Sequence, residues 1–146
     1  MESFFEPVLG QLKLVDDRIR AQSEDHHSEL SAALNHLLAA GGKRIRPTLV
    51  LLMARLLGTD PEKAIILGAA VELLHTATLV HDDLIDGALL RRGNPTLNSR
   101  WSSAATVLTG DFLFARAAKL ASELDSPVAL RLFSNTLATI VNGEIT

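Results

Sequence analysis

A chain of 146 residues, 47% hydrophobic and 21% charged, suffices for one domain with a sizeable core and is too apolar for a disordered segment. A net charge of -3, with no basic run interleaved with aromatics, argues against a nucleic-acid binder. The absence of cysteine removes disulfides, thiolate chemistry and Cys-ligated zinc, so a reducing, cytoplasmic setting is expected. The opening MESFFEPVLGQLKLVDDR lacks the charged-then-apolar layout of a secretory signal. The longest apolar runs, TLVLLMA and AIILGAAVELL, are too short to span a bilayer.

In chain order, Leu9, Leu12, Val15 and Ile19 recur at helical spacing and predict an amphipathic first helix. Ser28 is placed as the cap of a second helix, which Gly41 and Gly42 stop. Pro47 suits the first turn of a third helix, closed by Gly58. Asp60 as N-cap and Pro61 at the first helical position start a fourth, continuing to about Asp86. GALLRRGNPTLNS reads as a loop. A fifth helix is predicted over roughly Ser99 to Leu124, and Ser126-Pro127 opens a sixth. No period-two strand pattern is present, and AIILGAAVELL reads as a helix buried all round. The expected fold is all-α, a bundle of long, mostly antiparallel helices. The sequence ends at TIVNGEIT, inside a helical pattern and without a cap, as though a domain were cut.

The fourth helix carries an unusual stripe. At about 100° per residue, His75, Asp82 and Asp86 fall within about 20° of one line, with Asp83 about 80° away. Carboxylates so placed repel and raise one another's pKa unless a cation joins them. Oxygen-only ligands and few carboxylates favour Mg²⁺, which keeps waters and completes its shell with substrate phosphates. A plain solvated helix end is the bland alternative, and His81 reads as a partner for a neighbouring carboxylate.

Two cationic clusters accompany the stripe. GGKRIRP places Lys43, Arg44 and Arg46 after a double glycine at a helix start, where close backbone approach and free N–H groups favour anions. RRGNPT adds Arg91 and Arg92 soon after the aspartates. Lysine supplies a point charge and arginine a planar fork matched to phosphate oxygens. Together with the acidic stripe they imply two anionic groups bound close together, one through metal and one held directly. A diphosphate on the metal side is the natural leaving group.

GGKRIRP, LLHTATLVHDDLIDGALLRRGNPT, LTGDFLFARA and TIVNGEIT resemble, in order, the N-terminal blocks of trans-isoprenyl diphosphate synthases, the polyprenyl synthetases. The resemblance implies that residues 1–146 are the N-terminal half of an isoprenoid-synthase helical domain. It implies that Asp82, Asp83 and Asp86 form the first aspartate-rich motif, with Asp82 and Asp86 as direct Mg²⁺ ligands. Lys43, Arg46, His75 and Arg92 match positions that grip isopentenyl diphosphate, and Arg91 the one that contacts the allylic diphosphate. In such enzymes diphosphate loss leaves an allylic cation, which the isopentenyl double bond attacks, and a proton is lost. Ala77 and Thr78, both small, stand where a bulky aromatic would floor the product tunnel, implying a medium- or long-chain polyprenyl product.

The chain departs from the pattern in lacking a second aspartate-rich motif. After Asp86 its acidic residues are Asp111, Glu123, Asp125 and Glu144. Half a metal site is not expected to ionise an allylic diphosphate at a useful rate. Three readings follow: a fragment of a complete synthase, one half of a split enzyme, or a non-catalytic helical partner. An exposed apolar inner face is expected, with a homodimer or a complementary half to cover it. A different class, a metal phosphohydrolase, would use His81-Asp82 with ligands among His26, His27 and His36. It leaves both basic clusters unexplained.

Overall fold

The computed structural model describes residues 5–24 and 28–145. A 3₁₀ turn at Glu6–Val8 leads into α1 (Leu9–Ala21), followed by α2 (Ser28–Ala39), α3 (Ile45–Leu57) and α4 (Pro61–Asp86). A short hairpin of β1 (Leu90–Arg91) and β2 (Asn94–Pro95) follows, then α5 (Leu97–Arg100), α6 (Ser103–Ser122) and α7 (Pro127–Ile145). The helical bundle agrees with the sequence reading.

Helix α4 is the axis of the bundle and packs against α6, α3 and α1. Its middle is rich in small side chains, and Ala69, Ala70 and Ala77 are completely buried. That lets α6 approach closely through Gly110 and Ala117. Asp60 caps its start by accepting from the Glu62 N–H at 3.0 Å, with Pro61 next in line. Gly87 ends it in the left-handed region at φ 67°. By length and composition α4 is apolar enough to cross a membrane, unlike the shorter runs seen in sequence. Here it is the core helix, lined by Leu73, Ala77 and Val80.

Three expectations change in detail. Ser28 is already the first helical residue, and the preceding position lies outside the described residues. The single fifth helix is instead two, because Trp101 and Ser102 are extended and Ser102 restarts the chain by accepting from the Ala105 N–H at 3.1 Å. The loop after Asp86 contains a two-stranded ladder pairing Leu90 with Pro95 and Arg91 with Asn94. Arg92 and Gly93 take φ 51° and 80° at its tip, the left-handed pair that matches strand twist. Strands two residues long cannot show alternation, so the pattern was invisible.

Helix α7 starts as expected, with the Ser126 hydroxyl accepting from the Ala129 N–H at 3.1 Å. None of its described residues is buried, and Val128, Leu132 and Ile145 are exposed, as is Leu108 of α6. This is the uncovered apolar face that the sequence led us to expect.

Candidate functional site

Three chain segments meet around a cavity of about 240 Å³: the residue 40–46 stretch, the middle of α4, and the hairpin. From α4 come Glu72, His75, Thr76, Leu79, Val80 and Asp83, a single helical face. Lys43 enters from the loop before α3 and Arg46 from the first turn of α3, Arg91 and Arg92 from the hairpin. The structure thus brings the cationic candidates of both clusters to one place.

His75 is half-buried among these cations. Burial above all, then Arg46, Arg91 and Arg92, push its imidazole below the usual histidine range, and Asp82 only partly opposes them. The ring is therefore held neutral, with one N–H to give. Arg91 forks onto Asp83, with Nη2 2.7 Å from Oδ1 and Nε 3.0 Å from Oδ2. Asp83 is buried with its charge met by this fork, leaving Asp82 half-buried and Asp86 exposed.

The carboxyl of Glu144 on α7 is pushed above the ordinary range by its interaction with the Asp82 carboxyl, with Asp86 adding to the effect. Sequence reasoning placed Glu144 among leftover acids, although its block, TIVNGEIT, was one that carried the resemblance. Among the described residues, no three His, Cys, Asp or Glu side chains form a group able to hold a metal ion. The donors Asp82 and Asp86 are all-oxygen and one turn apart, which fits Mg²⁺ only if substrate oxygens and water fill most of its shell.

Arg44 departs from its neighbours. Its guanidinium turns inward, with Nε 2.9 Å from Asp16 Oδ1 and Nη1 3.4 Å from Glu72 Oε1. His81 faces away from the cavity, donating to the Val107 carbonyl at 3.1 Å, lying 3.4 Å from Asp111 Oδ1 and packing on Phe114. It pairs with a carboxylate, as read from the sequence. His36 bonds to the Pro95 carbonyl at 2.8 Å and packs on Trp101, while His26 and His27 lie outside the described residues. Of the three histidines that a phosphohydrolase site would draw on, the structure describes only His36, which is engaged by Pro95 and Trp101. Ala77 is fully buried and Thr78 half-buried, its hydroxyl donating to the His75 carbonyl at 2.6 Å. Neither lines the cavity; Thr78 lies one turn below Asp82.

Residues 27–146 match the polyprenyl synthetase family. Component 2 of heptaprenyl diphosphate synthase from Geobacillus stearothermophilus is 40% identical over 145 residues, covering 99% of this chain and 45% of the relative. A decaprenyl diphosphate synthase from Rhodobacter capsulatus superposes with TM-score 0.93 at 36% identity, covering 99% of this chain and 45% of that one. A polyprenyl synthase from Caulobacter crescentus CB15, complexed with calcium and isoprenyl diphosphate, gives TM-score 0.92 at 40% identity, covering 97% and 43%. The chain spans less than half the length of these relatives. With the family matched over most of its residues and the fold over nearly all of them, the chain belongs to the polyprenyl synthetase family.

Proposed function

We propose that this chain provides the N-terminal half-site of a Mg²⁺-dependent prenyltransferase in the cytoplasm. It joins isopentenyl diphosphate to an allylic diphosphate and yields a medium- or long-chain polyprenyl diphosphate. One observation carries the reading: Lys43, Arg46, His75, Arg91 and Arg92 share a cavity against the same helix that presents Asp82 and Asp86. The Caulobacter relative, seen with calcium and isoprenyl diphosphate, supports a divalent ion beside a diphosphate.

In this reading Lys43, Arg46 and Arg92 hold the isopentenyl diphosphate, and His75 donates a hydrogen bond to it. Arg91 divides its fork between Asp83 and the allylic diphosphate. Asp82 and Asp86 hold Mg²⁺, which when bound offsets the charge developing on the leaving diphosphate. The allylic C1–O bond breaks with its electron pair on oxygen, the isopentenyl double bond forms the new C–C bond, and a proton departs. The facing half, with the remaining metal ligands, comes from further polypeptide. The name "component 2" borne by the Geobacillus relative supports pairing with a complementary chain, and a homodimer is the other arrangement.

The test is the intact mass of the purified protein, followed by extension of farnesyl diphosphate with radiolabelled isopentenyl diphosphate and Mg²⁺. Binding of diphosphate without extension, with its Mg²⁺ dependence lost in Asp82→Ala, is the expected outcome. Extension by the 146-residue chain alone overturns the need for a second half. Neither binding nor extension overturns the prenyltransferase reading.

A further inference from the structure

Arg44 lines the cavity together with four other cationic residues, but its guanidinium is engaged by two carboxylates of the protein. Its guanidinium reaches across to α1 and α4, pairing with half-exposed Asp16 at 2.9 Å and with buried Glu72 at 3.4 Å. The backbone bends to allow this: Arg44 has φ 51°, a left-handed value that a side chain-bearing residue adopts only when its surroundings compel it. Its carbonyl is fixed as well, accepting from the N–H of the fully buried Thr48 at 3.0 Å and from the Thr48 hydroxyl at 2.6 Å. Gly42 completes the seat, since a Cβ there would stand 3.1 Å from Arg44 Nη1. The Nε, Nη1 and carbonyl of Arg44 are thus tied to helices, while Lys43 and Arg46 on either side remain exposed at the cavity.

Glu72 gives the arrangement its direction. It lies three residues before His75 on the cavity face of α4; burial pushes its carboxyl above the usual range, and Arg44 first and Arg46 second oppose that push in favour of the charged form. A buried carboxylate next to a diphosphate pocket would repel the ligand unless a fixed cation screened it. Arg44 supplies that cation and anchors the loop with the same side chain.

We propose that Arg44, with Asp16 and Glu72, is a positioning device that locks the residue 41–46 stretch so that Lys43 and Arg46 face a bound diphosphate. This rests on the diphosphate reading of the cavity. Arg44 itself contacts no substrate.

The experiment measures inorganic pyrophosphate binding to the 146-residue chain by calorimetry, together with thermal unfolding. Arg44→Met alone leaves Glu72 unpaired and lowers both stability and affinity. The double variant Arg44→Met with Glu72→Gln removes the stranded charge, so thermal stability returns toward the starting value. Pyrophosphate binding in that double variant is expected to stay about tenfold weaker, about 1.4 kcal/mol, because the loop is unmoored. Asp16→Asn, which strands no buried charge, is expected to weaken binding about threefold with little change in unfolding temperature. Starting affinity in the double variant or in Asp16→Asn overturns the positioning role. If the unaltered chain itself does not bind pyrophosphate, the diphosphate reading fails instead, and the two failures are distinct.

Discussion

Arg91 and Asp83 close a two-pronged ion pair in which the carboxylate is buried and the guanidinium remains 41% exposed on its side chain. The middle aspartate of the acidic stripe is therefore occupied by the hairpin, and Asp82 and Asp86 are the ones left for a cation. Arg91→Ala strands the Asp83 charge. Allowing for the exposed partner, a loss of about 1–2 kcal/mol is expected, read as a lower urea midpoint. Combining it with Asp83→Asn should return most of that loss, and no recovery would mean that the pair does not hold the hairpin.

The division of labour among the aspartates gives a second test. Mg²⁺ should tighten pyrophosphate binding about tenfold or more in the unaltered chain, equivalent to about 1.4 kcal/mol. Asp82→Asn should abolish that increment. Asp83→Asn should preserve it while loosening the hairpin. Equal losses in both variants would contradict the assignment of Asp83 to Arg91.

The contact between α4 and α6 gives a third. A Cβ on Gly110 would overlap the His81 imidazole, so Gly110→Ala forces the helices apart or rotates the ring away from Val107 and Asp111. A destabilisation of about 1–3 kcal/mol is expected by chemical denaturation, in line with overpacking elsewhere. His81→Ala in the same chain makes room and should recover part of it. A Gly110→Ala protein as stable as the original would show that the slot is not a constraint.

Protonation of His75 gives a fourth, with a definite sign. Burial, Arg46, Arg91 and Arg92 lower its pKa in the folded chain from an ordinary value of 6.5. The unfolded chain then binds the proton more readily, so stability falls as pH drops through about 6.5 and levels off below the folded value. Urea midpoints should decline between about pH 7.5 and 5.5, less steeply in His75→Gln. Bound pyrophosphate reverses the local field, so its binding near about pH 6.5 should take up protons, seen as a dependence of the calorimetric heat on buffer. No difference between the unaltered chain and the His75→Gln variant in either measurement would remove this residue from the cavity's electrostatics.

The helices were legible because their ends carry chemistry: Asp60-Pro61 before α4, Gly87 after it, Ser126 before α7. The break before α6 was not, since a serine acting as a cap reads the same in one dimension as a serine inside a helix. The hairpin escaped because it is stabilised by Arg91 on Asp83 and by Thr96 and Asn98 on the Ala88 carbonyl, the latter two at 2.8 Å, rather than by strand pattern. Within the site, the stripe of His75, Asp82 and Asp86 followed from angular spacing alone. The inward turn of Arg44 did not, because consecutive basic residues carry no mark of which faces the core. Glu144 joins Asp82 from a helix far along the chain, a proximity that only packing creates.

Helix α4 runs unbroken from Pro61 to Asp86 with His75 and Asp82 on one face. At about 1.5 Å per residue their levels differ by about 10 Å along the axis, and no hinge divides them. Two diphosphates placed against those levels would be spaced by a rigid ruler, not by a closing cleft. Adjustment during a reaction cycle would then fall to parts attached beside the ruler, above all the loop moored by Arg44 and the hairpin moored by Asp83.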